Sequence, residues 1–573
     1  MQLQGQHVLI LGLGASGLAM ARWCAHAGAD VTVADTRDTP PQLAALKAEW
    51  PQVRFVPGPL TAHLVEGTSV RGVLRSPGLS PDMLAPVLDA AKAMGLWLGG
   101  ELSLFAAGLK DLKTRFGYAP QVLAITGTNG KTTVTSLTGQ LVARAGKRVK
   151  VAGNIGPTLL DTLAEALMEA KALLQQQEEK QGKQQEQQED QASPKLAAVQ
   201  RTELVTAPAS DVPVTLANEE PLPFVAQSVV PVAQHPLAQA LPQVWVLELS
   251  SFQLDSSEGF EPTAATVLNL SQDHLDWHGN MAAYGEAKAR IFGEQALMVL
   301  NRDDAQVMHM RPAPIKVKLQ KPIERACWTF GGDMPQRPGD FGIEVTHGMT
   351  WLVRALEADE TRRRRKDEAQ ELHIQRLIPA DALRIRGRHN AVNALAALAL
   401  ASSAGCALGP MLYGLREYRG EPHRVEPVAI VHEVEYFDDS KGTNVGATVA
   451  ALQGLGAERR VVVIVGGDGK GQDFSPLADP VSRFTRAVVL IGRDATSIRA
   501  VLQGTGVPLH DASDMADAVA QAARLAQSGD AVLMSPACAS FDMFDNYGHR
   551  AQVFCQAVAV LAEAAGVAME GAL

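Results

Sequence analysis

The chain has 573 residues, too many for one hydrophobic core and enough for three or four domains of usual size. Hydrophobic residues at 46% with 20% charged describe an ordinary soluble globular protein. A net charge of −10 with no broad basic tract argues against a general nucleic-acid binder, and no apolar run is long enough to span a bilayer.

The first predicted strand, His7 to Leu11, has no positive segment before it and is broken by Gly12, Gly14 and Gly17, so it is not a signal peptide. It leads into Gly12-Leu-Gly-Ala-Ser-Gly17, a helix through Ala27, and a second strand, Val31 to Ala34, ending in Asp35. This is the dinucleotide fingerprint: glycines let the backbone approach a diphosphate, and the acid reaches a ribose or a base. Taken alone it suggests NAD, and a tight strand-to-helix turn explains it almost as well. Arg75-Ser-Pro-Gly78 is another strand-end turn on the same carboxyl edge.

Val122 to Ile125 is an apolar strand followed by Thr126-Gly-Thr-Asn-Gly-Lys-Thr-Thr133, with a helix expected from about Val134. Strand, glycine turn and helix N-terminus make an anion site, where free N–H groups and the helix dipole favour negative charge. A Lys adds a cation for the outer phosphates, and a Thr hydroxyl binds the accompanying magnesium. The loop is shorter than the standard one, because Ile125 stands where its first glycine belongs. Val149 to Gly156 and Val244 to Leu249 read as further strands. Glu248 inside an apolar strand is costly unless paired or metal-bound, and the upstream phosphate loop favours a magnesium ligand. Asn269, Asp273 and His274 lie near the carboxyl edge of the strand Ala265 to Leu270; Lys288 lies on a helical stretch, where pattern alone leaves it a solvated charge.

Two segments read as insertions: 170–243, a Gln/Glu/Lys tract and then a Pro-punctuated run, expected to be disordered apart from a short helix at its start, and 358–373, a charged loop. His389, Asn390 and Asn393 fall in the first turn of an Ala/Leu-rich helix, where they cap it or touch a ligand. From about Glu421 a third α/β pattern places Lys441, Lys470 and Ser540 on one rim of a parallel sheet, suited to a small dicarboxylic or phosphorylated ligand. Five scattered cysteines without metal spacing suit a reducing cytoplasm.

The ordered set T-G-T-N-G-K-T-T, G-N-I-G, E-L-S-S-F-Q-L, N-L-S-Q-D-H-L-D, H-N-x-x-N, P-H-R-x-E, D-D-S-K-G-T-N, G-G-D-G-K and S-P-A-C-A-S resembles the Mur ligases of peptidoglycan synthesis. It covers nearly all the chain except the two insertions. Within the family, S-P-A-C-A-S-F-D-M-F and G-L-G-A-S-G with D-T-R favour the member that joins D-glutamate to UDP-N-acetylmuramoyl-L-alanine. The resemblance implies three α/β domains: Rossmann-like over 1–108, a P-loop ATPase over 109–420, and a second Rossmann-like domain over 421–573.

It also implies roles. Gly14, Ala15 and Ser16 would hold the UDP diphosphate, Asp35, Thr36 and Arg37 the uracil, with Ser76 on the same carboxyl edge and Asn154 at the sugar-linked portion. Gly127, Thr128, Asn129, Gly130, Lys131, Thr132 and Thr133 would bind ATP, with Asn269, Asn390, Asn393, Arg424 and Asp439 around the nucleotide. Thr132 and Glu248 would hold one Mg2+ and His274 a second, with Lys288 as a carbamylated metal ligand. Lys441, Thr443, Lys470, Ser540, Phe541 and Tyr547 would form the D-glutamate pocket, although the family usually carries Leu and Phe where Phe541 and Tyr547 stand. Lys131, His274 and Lys288 would be the catalytic set. The expectation is a monomeric cytoplasmic ligase with no nucleic-acid partner and no membrane insertion. A sibling ligase, a folylpolyglutamate synthetase, a dehydrogenase fused to an ATPase, and a non-catalytic nucleotide-binding regulator are the alternatives.

Overall fold

The computed structural model describes residues 3–154, 156–192, 235–316, 322–358, 371–457 and 459–567. The described chain forms two compact units. The larger comprises Met1–Gly108, Pro120–Leu163 and Pro242–Leu573, and the smaller Leu109–Ala119 and Ala164–Leu241.

Within the larger unit, the first sheet has the order Arg54–Pro57, Asp30–Asp35, His7–Leu11, Val70–Arg75, Trp97–Gly99, all parallel. Its strands are continuous apolar runs because helices cover both faces. Leu9, Leu11 and Val73 are fully buried in this core. Successive strands are laid down outward on either side of His7–Leu11, so a crevice opens at its carboxyl end, beside that of Val70–Arg75. The glycine turn and Ser76 sit there, and the Ser76 amide donates to the Leu11 carbonyl at 2.8 Å.

The second sheet runs Cys327–Phe330, Leu297–Asn301, Ala264–Val267, Gln121–Thr126, Val244–Glu248, Val149–Gly153, again all parallel. Its register sets Ile125 against Glu248 and Thr126 against Val267, which brings Glu248 beside the phosphate loop. A three-stranded antiparallel sheet follows, Phe341–Thr346, Met349–Glu357 and Leu372–Pro379. The last sheet has the order Glu426–Val431, Val434–Asp438, Ala531–Met534, Val461–Gly466, Thr485–Ile491, Leu509–Asp511. Its first pair is an antiparallel hairpin, and the rest is parallel. The rim expected from sequence is therefore present, with an added edge strand.

Three expectations need correction. The helix after the phosphate loop begins at Lys131, not near Val134, so Lys131, Thr132 and Thr133 form its first turn. The helix at the start of the Gln/Glu/Lys tract is longer than the short one expected: it runs Leu159–Ala192, through the tract itself, because Gln, Glu, Lys, Ala and Leu are all strong helix formers. A second short helix, Pro236–Ala240, closes that insertion, and the remainder, 193–234, lies outside the described residues. The charged loop is shorter than 358–373, since Leu372 and His373 already belong to a strand, and 359–370 lie outside the described residues. Among the described residues no helix is long and apolar enough to cross a membrane.

Candidate active site

The fingerprint turn is held by its acid. Asp35 is fully buried; its carboxylate accepts from the Leu13 amide at 2.7 Å and from Arg37, whose Nε and amide lie at 2.8 and 3.0 Å. Burial alone would raise the Asp35 pKa, but these donors outweigh it and hold the group down at about 2. Gly17 has no room for a side chain, as a Cβ there would lie 2.0 Å from the Gly12 carbonyl oxygen. The helix Ala15–His26 starts after Gly14 with no side-chain cap, leaving its first-turn amides for an anion.

In the phosphate loop, Gly127 and Gly130 adopt φ of 155° and 82°, which β-carbon-bearing residues avoid. Lys131 folds back, its Nζ donating to the carbonyls of Gly127 and Thr128 at 2.9 and 2.8 Å. Lys288 is not a solvated charge. It is 1% exposed, and its Nζ donates to the same Gly127 carbonyl at 2.8 Å and to Thr126 Oγ1 at 3.2 Å, 4.6 Å from the Tyr284 ring centre. Burial, reinforced by the Lys131 charge, pushes the Lys288 pKa well below the ordinary lysine value. Burial also lowers Lys131, with Glu248 and Asp273 opposing the shift.

Glu248, 3% exposed, ends its strand and accepts from Asn154 Nδ2 at 3.1 Å. Gly153, at φ 131°, lets the neighbouring strand close on it: a Cβ there would sit 2.0 Å from the Glu248 carbonyl oxygen. Thr132 Oγ1 accepts from Arg424 at 2.7 Å. His274 stands at φ 53°, capping the short helix Leu275–His278, with Asp273 3.6 Å from its Nε2; burial lowers its pKa although Asp273 raises it. Glu248 and His274 both lie within electrostatic reach of Lys131 and Lys288, and a carboxylate and a hydroxyl are the oxygen donors that a hard divalent cation takes. Among the described residues, the His, Cys, Asp and Glu donors gathered within 4.8 Å are instead His423, Glu426 and Asp438, where His423 Nδ1 lies 2.7 Å from Asp438.

A cleft opens above the loop, lined by Asn129, Gly130, Thr133, Asn269, Asn390, Asn393, Arg424 and Asp439 of the predicted nucleotide set. Asn269 already clamps the loop, accepting from the Asn129 amide at 2.8 Å and donating to its carbonyl at 3.1 Å. Asn390 does not cap its helix, which starts after Gly387; its Nδ2 donates to the Arg386 carbonyl at 2.8 Å and its Oδ1 accepts from Asn393 at 3.2 Å. Asp439 is buried, and burial raises it to about 7 even though Ser535 Oγ donates to it at 2.6 Å.

On the last sheet's rim, Lys441 Nζ lies 3.7 Å from the Tyr547 ring centre, and burial together with Arg424 lowers it to about 8. Lys470 sits at φ 49° in the glycine turn, and Ser540 is buried. Phe541 is 70% exposed, so the Ser540–Phe541 step turns one side chain in and the next out. Lys470, Ser540 and Phe541 do not line this cleft. Sequence reasoning missed three supporting residues. Tyr284 packs on Lys288 and lies 3.3 Å from Thr128 Oγ1; Asn444 donates to Asn129 Oδ1 at 3.1 Å; buried Arg550 donates to the carbonyls of Ser440 and Cys538, tying two rim loops together. The i, i+4 spacing of Tyr284 and Lys288 was the available signal for the first.

Three family profiles match in chain order: "Mur ligase MurD-like, N-terminal domain" over 6–100, "Mur ligase middle domain" over 125–187 and 229–401, and "Mur ligase, glutamate ligase domain" over 423–538. A protein of Albidiferax ferrireducens named "UDP-N-acetylmuramoylalanine--D-glutamate ligase" is 61% identical over 100% of this chain and 99% of its own. The chain belongs to the Mur ligase family. Two further Mur ligases of the same printed name are similar along their length: one from a Polaromonas species at 52% identity, covering 99% of this chain and 100% of that one, and one from Burkholderia pseudomallei at 50%, covering 96% of each. The middle-domain match breaks off between 187 and 229, inside the first segment read as an insertion, and runs through the second.

Proposed function

We propose that the chain is an ATP-dependent amide ligase that joins D-glutamate to UDP-N-acetylmuramoyl-L-alanine, releasing ADP and phosphate, in peptidoglycan precursor synthesis. The observation that carries this reading is 61% identity to a ligase of that name along the whole chain, and so across every described sheet. The sheets divide the work: UDP on the fingerprint turn of residues 1–108, ATP on the loop within 109–420, and D-glutamate on the rim of 421–573.

The chemistry answers a physical problem. A carboxylate is a poor electrophile and oxide cannot leave. The alanyl carboxylate takes the γ-phosphoryl group of ATP, breaking the phosphoanhydride bond to give an acyl phosphate and ADP. The amine of D-glutamate then attacks the carbonyl carbon, and phosphate leaves as the amide forms. Lys131 neutralises charge on the transferring group, and the amides of Gly130 to Thr133 orient it. Lys441 and Lys470 pair with the two carboxylates of D-glutamate. Thr132, Glu248 and His274 are the residues that would hold Mg2+, which supplies further charge neutralisation when bound. Burial and the neighbouring Lys131 charge disfavour the protonated form of Lys288; the neutral amine is the form that adds CO2, and the carbamate so formed would be an anionic oxygen donor.

Lys131→Ala should lower kcat at least about a hundredfold while leaving the affinity for the UDP substrate unchanged. Retained turnover would sink the proposed phosphoryl transfer.

A further inference from the structure

The UDP turn and His274 belong to different sheets, yet a short chain of contacts joins them. Leu79 ends the Ser76-Pro-Gly-Leu turn. Its side chain packs on Gly12: a Cβ placed on Gly12 would meet Leu79 Cδ1 at 3.1 Å and Ser76 Cβ at 3.0 Å. The main chain of Leu79 faces the other way, its carbonyl accepting from the indole Nε1 of Trp277 at 3.1 Å. Trp277 lies one turn beyond His274, in the helix Leu275–His278 that His274 caps.

His274 needs such support. Its φ of 53° lies in the left-handed region, which costs free energy and persists only where the surroundings fix it. The surroundings are an aromatic cluster. The Phe252 ring meets His274 at 4.8 Å and Trp277 at 5.0 Å, and it stacks on His278 at 5.7 Å with the planes 3° apart. His278 Nε2 in turn lies 2.9 Å from Ser251 Oγ. Within this cluster, Trp277 is the ring that also holds the first sheet's turn.

We infer that Leu79 and Trp277 form a relay through which occupancy of the Gly12–Gly17 turn by the UDP group sets the geometry of the His274 turn, with Trp277 as a positioning residue. This rests on the proposed assignment of UDP to that turn and of a divalent cation to His274. A ligand that orders Gly12 restrains Leu79, and the Leu79 carbonyl then restrains the indole. By linkage, the two sites must report on each other equally.

The test measures Mn2+ affinity by electron paramagnetic resonance, on the full chain with a non-hydrolysable ATP analogue bound. It is done with and without UDP-N-acetylmuramoyl-L-alanine amide, whose neutral carboxamide removes direct charge contact with the ion. In the wild type the analogue should tighten Mn2+ about fivefold or more. Trp277→Phe keeps the ring and loses the N–H donor, and Leu79→Ala shortens the contact with Gly12. Each should bring the ratio close to one while the analogue still binds in the absence of metal. A ratio of one in the wild type, or an undiminished ratio in both variants, would overturn the relay. Failure of the wild type to bind the analogue at all would overturn the assignment of the UDP turn, and the relay with it.

Discussion

Lys288 shows how far a residue's role depends on what packs around it. Its helix gives no apolar stripe that would mark position 288 as buried, so sequence pattern assigns it to solvent. The structure buries it between Tyr284 and the Gly127 carbonyl. Burial disfavours the ammonium form of an amine held there, and the neutral form is the one that adds CO2: 13CO2 should give a carbamate carbon resonance that Lys288→Arg abolishes, and an unchanged spectrum in that variant would place the carbamate elsewhere. Two other groups should shape the pH dependence. Burial raises Asp439 to about 7, so it is protonated below that pH and ionised above it. If its anion accepts hydroxyl groups of the nucleotide, KM for ATP should fall as pH rises through 7, and Asp439→Asn should flatten that dependence. Lys441 is lowered to about 8 and loses its charge above that pH, so KM for D-glutamate should rise at higher pH, approaching tenfold per unit. Steady-state KM values from pH 6 to 9 read both.

At the level of elements, strand-end turns were the legible part. The glycine turn, the phosphate loop and the rim of the last sheet all follow from apolar runs ending in Gly, Ser and Lys, and the structure places each at a carboxyl edge. What sequence could not supply was register. Glu248 reads as a costly buried acid, but only pairing with Ile125 puts it beside the phosphate loop. The Gln-rich tract misled for a different reason: low apolar content argues against a packed core, yet it does not prevent a helix whose residues all favour one. Close backbone approach is the main constraint at these turns. Gly17→Ala and Gly153→Ala each force a Cβ to within 2.0 Å of a carbonyl oxygen. Overpacking of this kind costs about 1–3 kcal/mol. Thermal unfolding should show both losses, with Gly17→Ala also raising KM for the UDP substrate and Gly153→Ala raising the Mg2+ requirement through displaced Glu248.

Across the larger unit, residues after Gly420 reach back to the phosphate loop: Arg424 donates to Thr132 and Asn444 to Asn129. The cleft above the loop is therefore lined from both sides of Gly420, which stands at φ 94° just before the third α/β pattern begins at about Glu421, the place for a hinge between the two patterns. If the hinge works, small-angle scattering should report a more compact particle with both substrates than without; identical profiles would count against it. The ordered motifs made the ligase frame legible from end to end, because most of them fall at strand ends and helix starts, where the residue types are dictated by turn geometry and polar chemistry more than by core packing. The hydrogen bond between sheets through Trp277 was not legible, since a tryptophan ten residues past the end of the strand Ala264–Val267 carries no signal of what its N–H meets. The most direct test of the whole account is phosphate release from ATP with UDP-N-acetylmuramoyl-L-alanine and one amino acid at a time. Release that depends on D-glutamate is the predicted result; release with L-alanine or meso-diaminopimelate in place of D-glutamate would contradict it.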